Sequence, residues 1–200
     1  MKAESIVFAI AGMCFGTILG WVLATQQASP RIASAPVADS APAAAGARQP
    51  PPLDEARVQG LMTIIKSDPK NADALVQLAN TYFDAERYSD AIAWYESSLK
   101  LDPKNVDAST DLGVSYYYSS RADEALKQFD HSLSLNPKHT KTLLNQGIVL
   151  AFGKQDLAGA ETVWQKIVDM APDSAEGQAA KRGLEGIAAS RAKAAPAAGS

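Results

Sequence analysis

Residues 106–137 read VDASTDLGVSYYYSSRADEALKQFDHSLSLNP, and residues 72–103 read ADALVQLANTYFDAERYSDAIAWYESSLKLDP. Laid over one another, the two stretches share a small residue at one register (Ala79, Gly113), alanine at a second (Ala91, Ala125) and a closing proline. Working outward, Pro69, Pro103, Pro137 and Pro172 stand 34, 34 and 35 residues apart. A fixed period of this size marks stacked supersecondary units, none of which can bury its apolar face alone. Such an array offers an extended surface more readily than a catalytic pocket, so its function belongs in a groove.

Each unit reads as two amphipathic helices. In the first, Leu75, Leu78, Ala79 and Tyr82 fall at i, i+3, i+4 and i+7, and Ala91, Tyr95, Ser98 and Leu99 form a second stripe after a turn. Ala79, Gly113 and Gly147 at one register, and Ala91, Ala125 and Gly159-Ala160 at the other, leave room for helices to cross closely. Asn71 and Asn105 stand where an N-cap is wanted, and each proline ends the helix before it. The third unit has one residue more, and GKQDLAG (153–159) reads as a longer internal turn.

The ends of the array also have a pattern. Leu53 to Asp68, with Val58, Leu61, Met62, Ile64 and Ile65, reads as the unpaired second helix of a degenerate unit. After Pro172, Asp173 or Ser174 can cap a final helix to about Ile187, with Ala180, Leu184 and Ile187 inward and Lys181, Arg182 and Glu185 in water. Terminal caps of this kind are expected of solenoids.

These residues resemble the tetratricopeptide repeat (TPR), a helix-turn-helix unit with small and aromatic residues at set positions. The second unit carries Leu112-Gly113, Tyr116, Ala125, Phe129 and Pro137; the first carries Leu78-Ala79, Tyr82, Ala91, Tyr95 and Pro103; the third carries Gly147, Ala160, Trp164 and Pro172. The resemblance implies an all-α fold, a right-handed α-solenoid of three TPR helix pairs (72–105, 106–139, 140–173) between a half-repeat helix and a capping helix. It also implies that first helices line a concave groove. Carried over, the lining is Val76, Asn80 and Phe83; then Thr110, Val114, Tyr117 and Tyr118; then Leu144, Ile148, Ala151 and Phe152. This apolar and aromatic groove suits a partner protein's amphipathic helix or an extended apolar segment. One variant of the family grips chaperone C-termini with Lys, Asn and Arg. Asn80 and Lys141 match that clamp, but Val76, Asp111 and Asn145 take its other positions and argue against chaperone tails.

The N-terminal part differs. Residues 5–24, SIVFAIAGMCFGTILGWVLA, run without a charge, about 30 Å as a helix, and read as an uncleaved transmembrane anchor within a 1–24 segment. Lys2 precedes the span and no positive charge follows before Arg31, which puts the N-terminus in the cytoplasm and the repeats outside it, in a periplasm-type compartment. Gly12, Gly16 and Gly20 form a smooth stripe for packing against another membrane helix, including self-association. Residues 25–52 are an Ala/Pro-rich linker and 188–200 a tail, neither able to bury enough surface to fold, leaving 53–187 as the repeat domain.

Several function classes drop out. Net charge is -3, and the repeats hold no Lys/Arg cluster to attract nucleic acid. Cys14 is the single cysteine, His131 and His139 read as surface residues, and no metal, haem or phosphate-cradling spacing occurs. The expectation is a membrane-anchored adaptor, not an enzyme, with neither metal nor cofactor. An N-terminal span, a tether, few repeats and Trp164 also resemble assembly factors of c-type cytochrome maturation, which hold apocytochrome. A translocon-associated envelope subunit is a further alternative.

Overall fold

The computed structural model describes residues 49–194. The 5–24 stretch with Gly12, Gly16 and Gly20, and residues 25–48 of the linker, lie outside the described residues. Among the described residues no helix is long and apolar enough to cross a membrane. Every helix below belongs to the unit Pro50–Ser200.

The described residues form eight α-helices and no strands: α1 Glu55–Ser67, α2 Ala72–Asp84, α3 Tyr88–Leu101, α4 Val106–Tyr118, α5 Ala122–Leu135, α6 Thr140–Ile148 with a π-turn Val149–Gly153, α7 Leu157–Met170 and α8 Ala175–Ala194. Each helix packs on its chain neighbours, while α4 also touches α6 and α6 touches α8. The even-numbered helices therefore form one layer and the odd-numbered helices a second. The cores follow one another along the stack, from Val58, Leu61 and Leu78 at one end to Ile167, Ala180 and Ile187 at the other.

Each pair is locked by one ring against one small residue. Tyr95, Phe129 and Trp164 are buried, opposite Ala79, Gly113 and Gly147. A Cβ at Gly113 would come 2.5 Å from Phe129 Cε1, and one at Gly147 would come 2.1 Å from Trp164 Nε1. Burying a ring of this size contributes about 3–5 kcal/mol when measured by truncation, which makes these crossings the main ties within each unit. Trp164 also lies against Gly183 of α8 and donates to the Leu144 carbonyl at 3.2 Å, so it ties three helices together.

The helix starts follow the expected chemistry. Asn71 and Asn105 side chains accept from the Ala74 and Ala108 amides at 2.9 Å, and Ser174, rather than Asp173, accepts from Gly177. At α3 and α5 the first-turn support is an arginine: Arg87 pairs with Asp90 and lies over the Tyr82 ring, and Arg121 pairs with Glu124 and lies over Tyr116. Asp156 at the matching position of α7 instead accepts from the Gly159 amide.

The expected longer turn in the third unit does not occur. All three internal turns have three residues with a left-handed middle one, Glu86, Ser120 and Gln155 at φ 57°, 62° and 57°. The Arg87 and Arg121 amides bond the carbonyls five residues back, whereas Asp156 bonds Leu150, six back. The extra residue is held in the helix, where the Lys154 amide bonds Val149. One inserted residue widens a helical turn to π while leaving the turn chemistry and the next crossing in place.

Two further expectations change at the ends. In α1, Val58 and Leu61 are buried, but Met62 and Ile64 stay 43% and 45% exposed, and among the described residues no helix precedes α1 to pack against that side. Arg57 occupies the register filled elsewhere by Ala91, Ala125 and Ala160. At the other end the helix continues past Ile187 to Ala194, so residues 188–194 of the expected tail are helical. Alanine-rich composition favours this, and Arg191 pairs with Glu161 of α7 at 2.7 Å.

Candidate functional site

The expected groove residues separate into three groups. Thr110 is fully buried and Leu144 is 9% exposed, so neither lines a surface. Thr110 Oγ1 bonds Val106 O and meets Thr142 Oγ1 at 2.6 Å, a seam between α4 and α6 continued by His139 Nδ1 on Thr142 and by His139 Nε2 at 3.3 Å from Asp107. His139 is thus part of a contact between units, not only a surface residue of a turn. His131 is exposed, with Nε2 3.4 Å from Pro103 O.

Ile148 and Phe152 pack on the cluster that contains Ala179, Ala180 and Ile187 of α8, with Leu184 beside them, and Ala151 is buried there. Residues of the last helix thus share a core cluster with the lining of the third unit, of which Ile148 and Phe152 stay half-buried. In the first two units Val76, Asn80, Phe83, Val114, Tyr117 and Tyr118 are half-buried as well.

The rings gather where α2 and α4 end. Phe83 meets Tyr118 edge-on at 5.9 Å, and both meet Tyr88, which stacks on Tyr118 at 4.9 Å and 15° and contacts Phe83 at 5.3 Å. Tyr117 tilts against Tyr118 at 5.8 Å, and a Cβ at Gly153 would approach its Cε2 to 3.0 Å. The π-turn thus delivers a glycine where Tyr117 needs space. Burial raises the hydroxyl pKa of Tyr88, Tyr117 and Tyr118 above the usual phenol value, so all three stay neutral donors at ordinary pH. Tyr88 escapes a reading confined to first helices. Its signal was the position directly after the left-handed turn, facing the end of the preceding helix.

Polar groups lie alongside. The Tyr95 hydroxyl donates to Asn80 Oδ1, and Asp84 and Asp111 both act electrostatically on it. Burial raises the carboxyl pKa of both acids; Arg57 offsets part of this at Asp84 and Lys141 part at Asp111. Lys141 Nζ sits 2.8 Å from Asp111 Oδ1. Both would-be clamp residues therefore have partners within the chain, Asn80 in Tyr95 and Lys141 in Asp111. Among the described residues no three His, Cys, Asp or Glu side chains cluster as metal ligands.

Two family models match this region: a TPR repeat over residues 79–120 and a tetratricopeptide repeat over residues 110–175. No curated protein matches the chain. Among solved structures, MamA is 18% identical with TM-score 0.55, over 68% of this chain and 88% of that one. The first TPR of Spaghetti (RPAP3) bound to the HSP90 peptide SRMEEVD is 25% identical with TM-score 0.55, over 62% and 96%. A tetratricopeptide repeat protein from Parabacteroides merdae is 20% identical with TM-score 0.59, over 68% and 54%. Together they support the tetratricopeptide reading of the helix pairs and an all-α, solenoid-like fold.

Proposed function

We propose that the helical unit is a protein-interaction module that holds a helix or peptide of a partner protein on the face shared by its first two helix pairs. The observation that carries this is the half-buried ring cluster of Phe83, Tyr88, Tyr117 and Tyr118, gathered at the ends of two successive helices. Rings kept partly in water at one edge of a repeat array are a common anchor for peptides. The Spaghetti domain, of similar fold, is bound to a peptide. That ligand is acidic, and the Lys141–Asp111 pair argues against the same choice here.

The wider setting belongs to the same proposal. The charge-free 5–24 stretch would anchor the chain, with the repeats extracytoplasmic and no chemistry of their own. Trp164 is accounted for by the core it fills, so it lends nothing to an apocytochrome-holding role; that role and an envelope-subunit role differ only in the partner captured.

The test uses the full chain as bait, comparing wild type, Phe83→Ala with Tyr118→Ala, and the exposed control His131→Ala, each checked by thermal melting. The ring variant should lose partners that the control retains. Identical partner sets from folded proteins would overturn the reading. A reporter fused after Ser200 should signal outside the cytoplasm; a cytoplasmic signal would reverse the topology.

A further inference from the structure

We infer that the segment held on this face is cationic as well as apolar, with a Lys or Arg seated among Asp84, Glu86 and the rings of Phe83, Tyr88 and Tyr118. This rests on the interaction-module reading and specifies its ligand. The three first helices carry Asp73, Asp84, Asp107 and Asp111 against one cation, Lys141. That lysine is paired with Asp111, His139 Nε2 lies 3.3 Å from Asp107, and Arg57 of α1 acts on Asp84 without outweighing its burial, so with Glu86 added the carboxylates still outnumber these partners. The excess lies beside the rings. Asp84 follows Phe83 directly, and Glu86, at the left-handed tip of the turn, acts electrostatically on both Tyr88 and Tyr118.

A carboxylate beside a tyrosine face attracts a cation twice, by charge and by the ring quadrupole. The chain itself uses that combination at two places. Arg87 lies 5.1 Å over Tyr82 while pairing with Asp90, and Arg121 lies 4.4 Å over Tyr116 while pairing with Glu124. Helices α2 and α4 hold no Lys or Arg, and Arg57 of α1, which acts on Asp84, offsets only part of the cost of its burial. An incoming basic side chain next to an aromatic or branched one would repeat the arrangement. An acidic segment would meet Asp84 and Asp111 together.

The experiment selects binders of the full chain from a random peptide display library, then measures synthetic versions of the winners. Peptides should be enriched in Lys or Arg over Asp or Glu, and should weaken roughly fivefold to tenfold against Asp84→Asn with Glu86→Gln, the two exposed pairings being modest singly. Raising salt should weaken them as well. Binders that depend on Tyr118 yet show no cationic excess and ignore the double variant overturn this inference and leave the module reading standing. If no selected peptide depends on Phe83 or Tyr118, both fall.

Discussion

The first two helix pairs and the third are built from the same crossing but end differently. In the first two, a 13-residue first helix stops at an arginine-braced turn and leaves its terminal rings half in water. In the third, the extra residue makes a π-turn, an aspartate caps the next helix, and α8 joins its core cluster. One inserted residue thus changes how a unit ends without changing how its two helices cross.

The third unit can be broken at Trp164. Trp164→Ala removes the ring that joins α6, α7 and α8, and should cost about 3–5 kcal/mol in denaturant unfolding. Because units couple only to neighbours, hydrogen exchange should rise in α6–α8 while α2 and α3 keep their protection. Uniform loss of protection would show that the two sides are one cooperative block.

Gly147→Ala presses on the same joint more gently. Its Cβ would sit 2.1 Å from Trp164 Nε1, and the ring is pinned from the far side by Gly183, so it cannot retreat. Overpacking of this kind costs about 1–3 kcal/mol. A melting temperature equal to wild type would mean that α8 yields readily, contrary to a cap that holds its place.

Between the first two units, the contrast narrows to one hydroxyl. Ser132 Oγ lies 2.8 Å from Ser109 Oγ and 3.1 Å from the Gln128 carbonyl, so its single proton has an acceptor, but the hydroxyl of Ser98, at the same register, is buried with no partner. Leu75 occupies the place of Ser109 in the first unit and offers nothing to bond. Ser98→Ala should therefore stabilise by about 1 kcal/mol, while Ser132→Ala should destabilise by a similar amount. Equal signs in chemical denaturation would remove the distinction between the two cores.

Much of this was legible in the sequence for physical reasons. Proline and asparagine mark helix ends because they act locally, and a ring needs a small residue opposite it wherever helices cross. Tyr95, Phe129 and Trp164 could thus be assigned without a structure. The extra residue could not, because GKQDLAG has the composition of a loop while the turn geometry is fixed by Gln155 and Asp156. The burial of Thr110 and Leu144 does not follow from register alone, because it depends on the next element: Thr142 meets Thr110, and Leu144 joins a core cluster with residues of α7 and α8. Tyr88 was missed because it opens an outer helix, yet the preceding turn folds it back onto Tyr118.

The smallest effect is the one that bears on function. Burial raises the Asp84 carboxyl above its ordinary value, outweighing Arg57. An acid whose folded value is raised is penalised when ionised, so the penalty is present above that raised value and vanishes as pH falls through it and below the unfolded value. Asp84→Asn removes the charge at every pH. It should melt slightly above wild type near neutrality and together with it in acid, the residue being too exposed for more. The same substitution should weaken a cationic peptide. A gain in stability with a loss in binding would mark Asp84 as a residue kept for its ligand, as expected where a site is held against the fold's own preference. A variant that melts lower than wild type at neutral pH would show instead that Arg57 outweighs burial and that Asp84 serves the fold, closing α1 onto α2 rather than receiving a partner.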